Sequence, residues 1–344
     1  MRDVARMACS LRSLYGVWPV RCTHSMAHSS DHKPYAIRYT QIDLPLLWRR
    51  AITLVAMRKG SNMQNAERAV VRIIQAQPTS DGAGVKLARS LGTPALDYLD
   101  PFLMLDEFRS DVGTDYLAGF PDHPHRGFET VTYMLAGVMQ HRDHKGNEGN
   151  LRAGSIQWMT AGRGIIHSEM PQQQDGLMWG FQLWVNLPAA EKMTAPRYQD
   201  IPSEDVPEVV LESGITIRVL VGESHGVRGA VQGIVTDPLY LDVQVPAQAS
   251  CSLPVQRGHT AFCYVFDGAG MFGASAQTVA RQHLTVFSDG EFVTVKTTDT
   301  PVRFLLLAGK PLNEPVARYG PFVMNTKEEI VQAVEDFRRG TFLA

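Results

Sequence analysis

The 344-residue chain is 44% hydrophobic and 20% charged, and its net charge is −2. This is the balance of a soluble globular protein long enough for two domains, without global attraction to nucleic acid or anionic lipid, and no apolar run approaches the roughly 18 residues of a membrane span. Cys9, Cys22, Cys251 and Cys263 form no CxxC pair, which excludes a disulfide framework and a thiolate zinc site and predicts a reducing compartment, the cytoplasm.

Residues 1–65 stand apart from the rest. They hold ten Lys/Arg against three Asp/Glu, about +7, so the remaining residues carry about −9. Arg-rich, acid-poor and without a sustained period, the segment reads as a disordered extension or as sequence upstream of a true start at Met57 or Met63. A targeting peptide is the lesser alternative. His24, His28 and His32 share a four-residue spacing there, but Pro34 follows and no apolar face accompanies them, so they are not read as a metal site.

Residues 66–195 read as a first β domain. The β-branched run at residues 70–74 predicts a strand. Between residues 96 and 187, short strand-like segments alternate with turns spaced about eight to twelve residues apart, the pattern of a sandwich or barrel. Residues 188–207, rich in proline and charge, read as an interdomain connection. Residues 196–312 repeat the first half: Arg126, Gly127, Tyr133 and Gly137 are matched without a gap by Arg257, Gly258, Tyr264 and Gly268. A duplicated barrel is expected. In the tail, residues 313–344, Thr326 and Glu329 fit a capping box, Ile330, Val331, Val334 and Phe337 recur at helical spacing, and Gly340 stops the run. The pattern predicts one short amphipathic helix docked on the β domains.

Two segments carry the chemistry. Asp122-His123-Pro124-His125-Arg126-Gly127-Phe128-Glu129 and Gly162-Arg163-Gly164-Ile165-Ile166-His167-Ser168-Glu169 each present two metal-ligand residues spaced i, i+2. Successive side chains on a strand alternate faces, so each pair shares a face. Two such strands side by side would converge three imidazoles and one carboxylate. A donor set without thiolates argues against structural zinc. Four donors on a metal that prefers six leave two adjacent positions open; non-haem iron oxygenases, whose 2-His-1-carboxylate set is this one less an imidazole, likewise keep positions open. One mononuclear divalent metal is expected, Fe2+ first, with Mn, Ni, Co or Cu as alternatives.

Parity also places Glu129 on the face of His123 and His125. It is open there to being a fifth ligand, a partner that orients an imidazole, or a buried acid paired with an arginine; the orienting role is preferred. His141 and His144 bracket an acidic, glycine-rich turn and read as solvated loop residues. Trp158, Met159, Trp179 and Trp184 read as core, with one or two lining a cavity above the metal. The second half carries Pro254 and Gln256 against His123 and His125, and Val295 and Thr297 against His167 and Glu169. No second metal centre is expected.

These segments, with residues 157–171 and the late run 319–326, resemble the pirin family, bicupin proteins of the cupin superfamily, over about residues 66–344. The resemblance implies an all-β fold of two cupin-type β-barrels with a short C-terminal helix, and metal ligands at His123, His125, His167 and Glu169. The broader cupin pattern would put its glutamate at Glu129, whereas the pirin pattern uses Glu169. It also implies quercetin 2,3-dioxygenase activity. A flavonol's 3-hydroxyl and 4-keto oxygens would take the open metal positions, the catalytic Glu169 would accept the hydroxyl proton, and dioxygen would open the central ring with loss of carbon monoxide. The other role associated with the family is an iron-dependent interaction protein that regulates a transcription factor or metabolic enzyme. The acidic balance of the folded part suits a basic protein partner better than DNA. A monomer without direct nucleic-acid or membrane binding is expected.

Overall fold

The computed structural model describes residues 67–343, so the readings of residues 1–65, including the spacing of His24, His28 and His32, lie outside the described residues. Short runs of β-branched and aromatic residues with alternating burial form two large antiparallel sheets. The first runs through Arg197–Ile201, Ile156–Thr160, Phe128–Ala136, Met178–Asn186, Phe102–Ser110, Val85–Leu91 and Gln77–Asp81. The second runs in corresponding order through Val70–Gln75, His283–Phe287, Thr260–Phe272, Val302–Gly309, Leu239–Val245, Thr216–Val221 and Glu208–Val210.

A smaller set of strands closes each barrel. In the first it is the sheet Phe120–His125, Ile165–Pro171, Val138–Asp143 and Glu148–Arg152. In the second, Ser250–Pro254 pairs with Phe292–Lys296, which meets the far end of Thr260–Phe272, itself paired with Gln277–Ala280. The chain is all-β, two cupin-type barrels with one C-terminal helix among the described residues. The duplication holds row by row: Tyr133 lies in register with Phe181 and Glu107, and its counterpart Tyr264 with Leu305 and Asp242.

The linear division at residues 66, 195 and 312 is crossed by the sheets. Val70–Gln75 pairs with His283–Phe287 in the second barrel, while Arg197–Ile201 pairs with Ile156–Thr160 in the first. A β-branched run with one buried face specifies a strand, but it does not specify which open sheet edge it completes.

The outer faces of the two large sheets pack against each other. Leu105, Val131, Phe181 and Leu183 of the first meet Tyr240, Phe262, Leu305 and Leu307 of the second in one buried cluster. Two tyrosines cross this interface reciprocally. Tyr133 Oη donates to Asp242 Oδ2 at 2.7 Å, and Tyr264 Oη donates to Glu107 Oε2 at 2.7 Å. Alternate residues of the same strands point into their own barrels. Those of the second line a largely apolar interior, including Ile217, Leu241 and Phe304, closed by Leu253 and Val293 of the smaller strands. The first is apolar around Phe108, Met134, Met139 and Met178, and polar at its other end.

The helix Lys327–Arg339 is capped as predicted. Thr326 Oγ1 accepts from the Glu329 N–H, the Glu329 carboxylate accepts from the Thr326 N–H, and Gly340 ends the helix at φ 71°. Ile330 and Ala333 are buried against Phe322, Met324 and Phe342. Val331 is 57% exposed, because it lies about 100° round the helix from Ile330. No described helix is long and apolar enough to cross a membrane.

Candidate metal centre

Phe120–His125 lies antiparallel to Ile165–Pro171, with His167 opposite His123 and Ile165 opposite His125. Directly opposed residues share a face, and three imidazoles therefore converge. One nitrogen from each of His123, His125 and His167 lies within 4.8 Å of the others. His123 Nε2 and His125 Nε2 are 3.0 Å apart, the separation of two ligands at right angles on an ion with bonds of about 2.1 Å.

His125 and His167 are buried and His123 is half-buried. Burial, then the neighbouring His123, pushes the His125 imidazole well below its ordinary value; burial, then His125, His123 and His141, does the same to His167. Both are therefore neutral near pH 7, the form a metal needs. His167 Nε2 is buried without a hydrogen-bond partner among the described residues. A cation held between the three imidazoles would remove that deficit, so the donor set fits a metal.

The turn after His125 is held from outside. Gly127 adopts φ 89°, and a Cβ there would lie 2.0 Å from Val323 O, so no other residue fits. Lys192, fully buried, donates from Nζ to Gly127 O at 2.8 Å, Asn186 Oδ1 at 2.7 Å and Val323 O at 3.0 Å. Arg126 donates to Asp336 Oδ2 at 2.6 Å, to Phe342 O at 3.0 Å and to Arg163 O. The C-terminal tail thus fixes the loop that carries His125. Neither clamp was legible in the sequence: Lys192 sits in the stretch that reads as a connection.

Glu169 follows His167 past a bulge in the facing strand, and comes to lie opposite Phe120 on one side and His141 on the other. Its Oε1 accepts from Thr132 Oγ1 at 2.8 Å, and that hydroxyl is also 2.8 Å from the Gln182 amide. Glu169 lines the same cavity as His123 and His125, although it stands outside the tight group of three nitrogens.

Glu129 does not stand behind the imidazoles, contrary to the parity argument. Thr132, three residues later on the same strand, points into the barrel towards Glu169, so Glu129 points the other way. Its Oε1 accepts from Thr160 Oγ1 at 2.6 Å, and burial raises its carboxyl above the usual range. The left-handed turn at Gly127 breaks the alternation between the two strands, and parity cannot be carried across it.

His141 is also placed differently from expectation. It is 2% exposed, on the strand Val138–Asp143, with its Nδ1 3.3 Å from His167 Nδ1 and the Tyr198 ring against it at 4.7 Å. The signal was the alternation Met139, His141, Asp143, all three buried. His144 is exposed in the turn, as expected.

Above the imidazoles lies a cavity of about 560 Å3, walled by Leu87, Met104, Phe120 and Trp184 on its apolar side and by Arg89, Asp106 and Arg318 on its polar side. The Trp184 ring lies 5.3 Å from that of His125. Trp158 and Trp179 belong instead to the packing between barrels, and Met159 to a small cluster with Ile165. The gap-free repeat sets Pro254 and Gln256 against the two histidines, but the residues that face inward are Leu253 and Val255, beside Val293 and Val295. Among the described residues, three convergent ligand groups occur in the first barrel alone.

The Pirin family model matches residues 84–185, and that of the Pirin C-terminal cupin domain matches residues 240–343. A pirin-like protein of Caulobacter vibrioides is 50% identical over 276 residues, spanning 80% of this chain and 99% of its own. Pirin of Homo sapiens is 44% identical over 278 residues, 79% of this chain and 93% of its own. Among solved structures, quercetin 2,3-dioxygenase from Acinetobacter baumannii aligns with a TM-score of 0.75 at 34% identity, over 81% of this chain and 99% of that one. With both family models matched in order and both barrels in place, the chain belongs to the pirin family.

Proposed function

We propose that this protein is a metal-dependent dioxygenase of flavonol-like aromatic substrates, of the quercetin 2,3-dioxygenase type. One divalent metal, Fe2+ first, would be held by His123, His125 and His167 with Glu169 as the fourth ligand. The observation that carries the reading is the convergence of three buried or half-buried imidazoles, two of which, His123 and His125, open with Glu169 onto a cavity of about 560 Å3, within the ~300–1,000 Å3 of small-molecule sites. The likeness to a structure named for that activity supports it.

A metal bound there would supply two open coordination positions for the substrate's oxygens and would activate the bound substrate towards dioxygen. The remaining work falls to side chains. Trp184, Met104 and Leu87 offer an apolar wall to a planar ring and keep water from it. Glu169 accepts the proton of the substrate's 3-hydroxyl. Thr132 holds one carboxylate oxygen of Glu169, which leaves the other for ligation or for the proton.

The test is direct. The protein is loaded with Fe2+ anaerobically, then given quercetin and air, while carbon monoxide release and loss of flavonol absorbance are followed. Turnover by wild type that is abolished in His167→Ala is expected. No turnover by wild type, or undiminished turnover in His167→Ala, overturns the enzyme reading. The alternative, a metal-sensing interaction protein, would then be tested by capture of a basic partner before and after oxidation of the bound iron.

A further inference from the structure

We propose that His141 is a positioning residue for the metal group: it accepts the Nδ1–H of His167 and so holds His167 in the tautomer whose Nε2 is free to bind a metal. The inference rests on the metal reading above, and concerns a residue outside the four ligands.

The two Nδ1 atoms are 3.3 Å apart and buried. A neutral imidazole carries one N–H, and one proton can lie between the two rings. Were His141 the donor, the proton of His167 would sit on Nε2 and block ligation there. With His167 as donor, Nε2 keeps its lone pair. That nitrogen has no competing hydrogen-bond partner among the described residues.

His123 is oriented by the same logic. Its Nδ1 lies 2.8 Å from Pro121 O, a group that can only accept, which leaves Nε2 for the metal group. For His167 the acceptor is a second imidazole instead of a carbonyl. An outer hydrogen bond of this kind fixes both ring orientation and tautomer of a metal-binding histidine.

The position of His141 is itself built. It faces Glu169 across the strand pair and is braced by Tyr198, from the strand Arg197–Ile201. Its own Nε2 is buried without a partner. Packing alone does not account for an imidazole here, since leucine or phenylalanine would fill the space without that deficit.

The experiment compares His141→Asn, whose side-chain oxygen can accept near the position of Nδ1, with His141→Leu, which cannot accept. Co2+ affinity is measured against a competing chelator, and coordinated imidazoles are counted by pulsed electron paramagnetic resonance of the Cu2+-loaded protein. The Leu variant is expected to bind Co2+ about 10–100-fold more weakly, with Asn near wild type and three imidazoles on copper in both wild type and Asn. Leu binding like wild type, Asn falling as far as Leu, or four imidazoles in wild type would overturn the proposal. If the Leu variant does not fold, the nitrogen resonances of the Zn2+-loaded wild type decide: a proton on His167 Nδ1 is expected, and one on Nε2 overturns it. Wild type that binds no Co2+ overturns the metal centre itself, a result distinct from failure of this inference alone.

Discussion

The two barrels share strand order and row-by-row register but have opposite interiors. Where the first points His123, His125, His167 and Glu169 inward, the second points Leu253, Val255, Val293 and Val295 inward. A fully buried large aliphatic side chain contributes about 1.5–3 kcal/mol, whereas a buried polar group without a partner costs stability. The first barrel carries several such groups, including nitrogens of His125, His141 and His167. The second barrel supplies packing energy, the first holds the candidate site, and the shared interface couples them.

The two tyrosine ties differ in the same way. Asp242 receives Tyr133 together with Arg303, which donates from Nε at 3.0 Å and from a second nitrogen at 2.6 Å. Glu107, in the matching place, receives two neutral donors, Tyr264 at 2.7 Å and Trp179 at 2.9 Å. One tie is a charge pair between the buried Asp242 and the half-buried Arg303. The other is a buried acid, and burial raises its carboxyl above the ordinary range.

Each contrast can be broken by substitution. The largest expected effect separates the interiors. His167→Ala should weaken metal binding by more than about 100-fold, beyond the effect of an outer partner, while the apo-protein unfolds in urea near the wild-type midpoint. Leu253→Ala should do the reverse, costing about 2–5 kcal/mol with metal affinity unchanged. Loss of metal binding in Leu253→Ala would break the division of labour.

The second contrast is between the ties. Asp242→Ala leaves Arg303 and the Tyr133 hydroxyl without their acceptor and should cost about 3–5 kcal/mol. Glu107→Ala leaves two neutral donors and should cost about 1–3 kcal/mol. Equal losses in urea unfolding would show that the Arg303 charge contributes nothing.

A smaller effect concerns pH. The folded-state value of Glu107 is raised above its unfolded value near 4.3, so the folded form binds more protons above that pH. The stability this contributes is present below about pH 4.3 and is lost as pH rises through the folded value. Wild type should therefore lose stability relative to Glu107→Gln between pH 4.5 and 7. A difference that grows with pH in favour of wild type contradicts the sign.

The smallest expected effect tests the turn at Gly127. Glu129→Gln should leave metal affinity unchanged, because the carboxyl faces away from the imidazoles. A tenfold loss in a chelator competition would show that it acts on them through the sheet.

Much of this was legible because it is local. The i, i+2 pairs His123/His125 and His167/Glu169 announce a shared face, since strand alternation depends only on neighbours along the chain. The capping box at Thr326 and the stop at Gly340 are local for the same reason, and the repeat at Arg257 and Gly258 disclosed the second barrel. Other features required distant parts of the chain to meet. Glu129 was misplaced because one left-handed glycine reverses parity, and His141 because its neighbours Glu169 and Tyr198 arrive on other strands. Lys192, Arg126 and the tail they bind join residues up to 216 apart in sequence. The sequence alone determined the fold class, the helix and the segments that hold the imidazoles. Only the tertiary structure decided which edge each strand completes, which way Glu129 points and what braces His167, because those depend on which surfaces meet once the barrels close.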